Sequence, residues 1–132
     1  MSSVVFDASA VLAVLNRETG HEKAAERIYG AAISAVNYGE VLKKSAERGG
    51  SIAHVAAILR QQRMNITSFD ADQAARAAEI WSECKPFGLS FADRACIALG
   101  LTMKVPIITA EQSMSQVALP VEFQLIRKRG AA

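Results

Sequence analysis

The sequence predicts an α/β fold: a small central parallel sheet of four to five strands flanked by helices. Two observations carry the prediction. Short β-branched or aromatic runs alternate with helix-length segments along the whole chain, the order that builds a parallel sheet covered on both faces. No internal repeat, low-complexity tract or linker interrupts the 132 residues, a length suited to one domain with a real core.

Each element has a local reason. Val4-Val5-Phe6 reads as a buried strand. Asp7 follows at once, and Ala8 to Arg17 reads as a helix broken by Glu18-Thr19-Gly20. His21 to Tyr29 is a second helix, ended by Gly30, and Ala31 to Ser34 a second strand. Ser34 is placed to cap a helix from Ala35 to Arg48, stopped by Gly49-Gly50. Ser51 caps the next, to about Met64, and Asn65 to Phe69 is a third strand. Asp70 caps a long Ala-rich helix to about Cys84, which Pro86 and Gly88 terminate. Ser90 opens another helix, to about Met103. Val105 to Thr109 is a strand with Pro106 near its start, where a missing N–H is tolerated. Gln124 to Ile126 is a last strand, and Arg127 to Ala132 a frayed basic tail.

Composition narrows the function classes. The chain is 51% hydrophobic and 21% charged, the balance of an ordered globular protein. A formal net charge of +2 excludes a histone-type or tail-type nucleic-acid binder. The N-terminal stretch is interrupted by Asp7 and carries no basic residue before Arg17, so it fails as a signal peptide. No apolar run approaches the ~20 residues that span a bilayer. Cys84 and Cys96 form no CxxC and no cluster with metal-ligand spacing, and read as partly buried thiols of a reducing compartment. A cytoplasmic protein with no membrane partner is expected.

Four acids stand out by position. Asp7 follows the first strand, Glu40 lies in the helix after the second, Asp93 is in the first turn of the helix opened by Ser90, and Glu111 lies just past Thr109. Each has an ordinary structural account. Asp7 is a good N-cap. Ser90 to Asp93 and Thr109 to Gln112 both fit capping boxes. Glu40 can pair with Lys43 or Lys44 on a helix surface. Against these accounts, ligands of open α/β sheets bind beyond the carboxyl ends of the strands, and all four acids fall near that rim. Glu40 also shares the stripe of Val36, so a core-facing carboxylate needs a partner. No matching set of buried cations is evident, and like charges brought together raise one another's pKa. A divalent cation resolves that cost. Oxygen-only donors select Mg²⁺ or Mn²⁺, ions that activate water and stabilise charge in phosphodiester hydrolysis.

Other residues carry weaker signals. Between Val41 and Asn65, Lys43, Lys44, Arg48, Arg60 and Arg63 stand against Glu47 alone. They read either as a solvated helical face or as an RNA-contacting rim. His21 and His54 read as structural or exposed, because an acid–metal mechanism needs no imidazole. Trp81 continues the stripe of Ala74, Ala77 and Ala78 and reads as core or dimer packing.

The stretches "VVFDASAVLAVL", "ISAVNYGEVLKK", "GLSFADRACIALG" and "VPIITAEQSM" resemble the PIN-domain family, and within it the VapC-type toxins of toxin–antitoxin pairs. The resemblance covers nearly the whole chain, 1–132, as a single PIN-like domain. It implies an Mg²⁺- or Mn²⁺-dependent endoribonuclease built on Asp7, Glu40, Asp93 and Glu111. Asp7 and Asp93 match the direct metal ligands, and Glu40 ligates directly or through water. Glu111 matches a position usually held by Asp. Ser9, Asn37 and Thr109 match polar positions lining the pocket. The resemblance further implies a homodimer and a small VapB-type antitoxin covering the pocket. Two alternatives stand beside it. One is a phosphoacceptor receiver-type signalling domain, which lacks here an acidic pair after the first strand. The other is a catalytically silent PIN-fold binding protein.

Overall fold

The structure, a computed structural model, describes residues 2–128. Most of the expected basic tail, from 129 on, lies outside them. The elements run β1 (Val5–Phe6), α1 (Ala8–Asn16), α2 (His21–Ile28), β2 (Ala32–Ser34), α3 (Ala35–Glu47), α4 (Ile52–Gln61) and β3 (Asn65–Thr67). They continue with α5 (Ala71–Glu79), α6 (Trp81–Cys84), a 3-10 turn (Lys85–Phe87), α7 (Phe91–Met103), β4 (Ile107–Thr109), a second 3-10 turn (Met114–Gln116) and β5 (Phe123–Leu125).

All strand pairs are parallel, and the sheet order is β3-β2-β1-β4-β5. The chain builds outward from β1 to one edge, then crosses over and builds to the other. The strand order therefore reverses between β1 and β4. Beyond the carboxyl ends of such a pair a crevice opens between the crossing connections.

Successive residues of a strand face opposite sides of the sheet, and here both sides are buried. Phe6, Ile33 and Ile108 pack with Val11, Val41 and Leu59 from α1, α3 and α4. Val5, Ala32 and Ile107 pack with Ile80, Cys96 and Ile97 on the opposite face. Gly100 lets α7 lie close on that second face: a Cβ there would fall 2.6 Å from the Ile107 side chain. Gln73 at the start of α5 bonds Thr102 near the end of α7, while Arg94 near the start of α7 bonds the Ala77 carbonyl. The two helices thus run antiparallel.

Five helices are capped as their sequences dictate, by Asp7, Ser34, Ser51, Asp70 and Ser90. Four local expectations are corrected. The α4 helix ends at Gln61, because Arg63 takes φ 52° to turn the chain into β3. The long helix to Cys84 is two, α5 and α6, and Ile80 joins them. The buried face runs through Gln73, Ala77, Ile80 and Cys84, so Ala78 and Trp81 lie beside it, and Trp81 is 52% exposed with Lys85 over its ring rather than in the core. No helix follows Thr109, although its hydroxyl accepts the Glu111 N–H as a cap would. Both cysteines are buried and free.

Candidate active site

The site begins with a backbone accident of β1. Asp7 extends the strand, its N–H donating to the Ile108 carbonyl at 3.1 Å, so its side chain emerges at the crevice between β1 and β4. The same residue caps α1, with Oδ1 accepting the Ala10 N–H at 2.9 Å. Ser9, in the first turn, donates its hydroxyl to the carboxylate at 2.8 Å from Oδ1 and 2.9 Å from Oδ2. Thr109, the last residue of β4, donates to Oδ2 at 2.5 Å. Two backbone N–H groups then fix the hydroxyls: Ala110 donates to Ser9 and Glu111 to Thr109, each at 2.9 Å.

Asp7 is 3% exposed, and among the described residues no Lys or Arg lies within ion-pair distance of it. Its pKa is raised to about 6. Desolvation is the main cause; the bonds from Thr109, Ala10 and Ser9 oppose it, and the charge of Asp93 adds to it. A buried carboxylate supported by hydroxyls and one N–H, but by no cation, is an incomplete electrostatic arrangement.

Asp93 approaches from α7. It closes a capping box with Ser90, accepting the Ser90 N–H at 2.9 Å while the Ser90 hydroxyl accepts the Asp93 N–H. The expected cap and the proximity to Asp7 are therefore both present. Asn37, buried in α3, donates Nδ2 to the Ala92 carbonyl at 2.9 Å and so ties α3 to the residue before Asp93. Its Oδ1 is buried with no partner. Glu40, one turn further along α3, is half-buried and reaches Lys44 at 3.9 Å, so it has the surface partner that one reading gave it. Cys96 marks where the acids converge. Burial pushes its thiol well above the usual range, and Asp7, Asp93 and Glu40 all push it further. Glu111 is different: its backbone N–H belongs to the cluster, while its side chain is exposed.

No three acids, histidines or cysteines among the described residues stand close enough to enclose an ion by themselves. Asp93 is turned back to its own cap, and both Asp7 oxygens are engaged. The donors fit a hard cation that takes one or two carboxylates directly and keeps several waters, as Mg²⁺ does. They do not fit a cage made of protein alone.

The basic residues do not gather at this crevice. Lys43 pairs with Glu47 at 3.5 Å, Lys44 with Glu40, and Arg48 with Glu18 at 4.0 Å. Arg63 lies at the amino end of the strands, since the Gly30 N–H just before β2 bonds the Gln62 carbonyl. Arg60 is exposed in the last turn of α4. His21 pairs with Glu22 at 3.3 Å, and His54 is exposed. Reading the sequence missed Phe69, Phe91 and Arg94, which cluster beside the first turn of α7. The signal was available: each aromatic adjoins a helix-capping residue, Asp70 or Ser90.

A sequence model of the PIN domain matches residues 4–119. The chain belongs to the PIN-domain family. Solved structures share the fold. A toxin–antitoxin complex from Klebsiella pneumoniae aligns at 18% identity and TM-score 0.71, covering 91% of this chain and 99% of that one. VapC20 of Mycobacterium tuberculosis, a sarcin-ricin loop cleaving toxin, aligns at 20% identity and TM-score 0.73, with 91% and 99% covered. DNA-bound VapBC from Salmonella typhimurium aligns at 13% identity and TM-score 0.71, with 96% and 100% covered. No curated protein matches by sequence. In this PIN domain the crevice between β1 and β4 is the place where the family's fold and the unpaired Asp7 coincide. No helix among the described residues is long and apolar enough to cross a membrane.

Proposed function

We propose that this PIN domain, spanning the chain as a single unit, is an Mg²⁺- or Mn²⁺-dependent endoribonuclease toxin. It cleaves RNA in the cytoplasm, acts as a homodimer and is neutralised by a cognate antitoxin. One observation carries the catalytic reading: Asp7 is a buried carboxylate without a cationic partner at the point where strand order reverses. Family membership supports the nuclease class. The VapC20 neighbour, described as cleaving an RNA loop, supports the substrate. The neighbours solved as toxin–antitoxin complexes support the partner.

Asp7 and Asp93 would hold the ion, with Glu40 contributing directly or through water and the exposed Glu111 through water. When bound, the ion polarises the phosphate and lowers the pKa of a water to be used as nucleophile. Ser9 and Thr109 orient Asp7 and favour its ionised form by donating to it. Asn37 fixes the first turn of α7, and with it Asp93. Its unpartnered Oδ1 accepts a hydrogen bond from a water in the crevice. Lys44 balances Glu40, and the RNA rim expected of Lys43, Arg48, Arg60 and Arg63 is no part of this reading, because Lys43 and Arg48 are paired with acids and Arg63 lies at the amino end of the strands. The Thr109 hydroxyl is committed to Asp7, which leaves the receiver-type alternative without a free hydroxyl there.

The test is incubation of the purified chain with RNA in Mg²⁺ or Mn²⁺, followed by sequencing of the ends. Fragments with 5′-phosphate and 3′-hydroxyl ends are expected, lost in EDTA and in Asp7→Asn. Full cleavage by folded Asp7→Asn overturns the assignment, and a folded wild type that cleaves no RNA favours the silent binding protein.

A further inference from the structure

We propose that Phe91 is a stacking platform for an RNA base that flanks the cleaved phosphodiester. The inference rests on the ribonuclease reading above and adds a residue that binds its substrate.

Phe91 is the first residue of α7, two positions before Asp93. It is 50% exposed, yet two contacts fix it in place. Phe69, from the loop after β3, meets it edge-to-face, with centroids 5.6 Å apart and planes at 84°. The Arg94 guanidinium carbon lies 5.4 Å from its centroid, and that guanidinium is anchored by its bond to the Ala77 carbonyl at 2.9 Å. The ring is therefore rigid, backed by a cation and half open to solvent. Rigidity matters because an ordered platform loses little entropy when a base settles on it.

Its placement gives the ligand. Residues two apart on a helix point to nearly opposite sides. Asp93 faces the Asp7 crevice while Phe91 faces the β3 side of the same turn. A strand whose phosphate lies at Asp7 and Asp93 passes over the start of α7, and a flanking base then reaches Phe91. Unstacked bases of single-stranded RNA bind aromatic faces and Arg planes in this way, whereas a duplex keeps its bases stacked internally. Lys43, Lys44 and Arg48, which could have lined a duplex groove, are paired with acids.

The experiment uses a single-stranded RNA carrying 2-aminopurine, titrated with the full chain in Ca²⁺ and again in EDTA. The wild type is expected to bind and quench the fluorophore. Phe91→Leu should weaken binding about tenfold or more and abolish the quench, and Phe91→Trp should keep both. In Mg²⁺, Phe91→Leu should raise KM with kcat little changed. Tyr29→Leu, at a more exposed aromatic at the amino end of the strands, should change nothing. A Phe91→Leu chain that binds as the wild type does overturns the proposal. So do wild-type indifference to RNA, a duplex bound as tightly as the single strand, and a Phe91→Leu defect confined to a protein partner. Quenching without cleavage in Mg²⁺ or Mn²⁺ leaves the platform standing and removes the nuclease reading. Cleavage with an unaltered KM in Phe91→Leu does the reverse.

Discussion

Thr109 and Asp7 meet through a 2.5 Å hydrogen bond although 102 positions separate them. The bond joins the end of β4 to the residue after β1, and it favours the ionised carboxylate against the burial that disfavours it. Thr109→Val keeps the shape and removes the donor. Asp7 should then ionise at still higher pH. Hydrogen bonds to charged groups are worth about 1.5–3 kcal/mol, so the acid limb of the pH–activity profile should move up by roughly one to two pH units. Thr109→Ser should restore it. An unmoved profile in the Val variant would show that the bond does not tune Asp7.

Asp7 also sets a pH dependence of stability. Its pKa is 3.8 ordinarily and about 6 in the folded chain, so the folded state binds the proton more tightly. The metal-free protein therefore gains from Asp7 at low pH and loses that stability as pH rises from about 4 to about 6. The gap corresponds to roughly 3 kcal/mol. Asp7→Asn should flatten this part of the curve and raise Tm at neutral pH in EDTA. Divalent cation should stabilise the wild type at neutral pH more than the variant. Urea titrations at several pH values read all of this.

Asp93 does two jobs that substitution can separate. Ser90→Ala removes a cap and should cost about 1 kcal/mol of stability while leaving the Asp93 charge and most activity. Asp93→Asn keeps an acceptor for the Ser90 N–H and loses the charge. It should fold within about 1 kcal/mol of the wild type, cleave RNA at least about a hundredfold more slowly, and lower the pKa of Asp7. Equal losses of activity in the two variants would mean that the cap, not the charge, is what matters.

Gly100 tests the sheet that carries the site. A methyl group there meets Ile107 at 2.6 and 2.7 Å. Gly100→Ala should destabilise by about 1–3 kcal/mol, and Ile107→Val in the same chain should recover part of it. Thermal unfolding of the single and double variants measures the coupling.

The parts of the fold set by local chemistry were legible in the sequence. The Ser90–Asp93 box and the caps at Asp7, Ser34, Ser51 and Asp70 depend on residues a few positions apart. Asp7 and Asp93 attracted attention for the same reason, because a cap beyond a strand is also a rim. What local reading gave wrongly was decided by distant partners or by small backbone turns. Thr109 looked like a helix cap, but no helix follows it and its hydroxyl bonds Asp7 across the sheet. Trp81 looked like core or dimer packing, but the buried face runs through Ala77, Ile80 and Cys84 and leaves it out of the core. The basic residues of α3 and α4 read as either a solvated face or a rim; Lys43–Glu47 and Lys44–Glu40 are neighbours on one helix, and only the folded chain brings Arg48 to Glu18. Phe91 and Arg94 were invisible as a pair until α5 supplied the Ala77 carbonyl that holds the guanidinium.

The long reach between Asp7 and Thr109 has a consequence for biosynthesis. A ribosome makes Thr109 102 residues after Asp7, and contacts so far apart in the chain form late in folding. Until β4 inserts beside β1, the nascent carboxylate has no Thr109 hydroxyl and no walls to desolvate it, so it is an ordinary solvated acid. The Asp7 environment therefore assembles only once β4 has been made and has paired with β1.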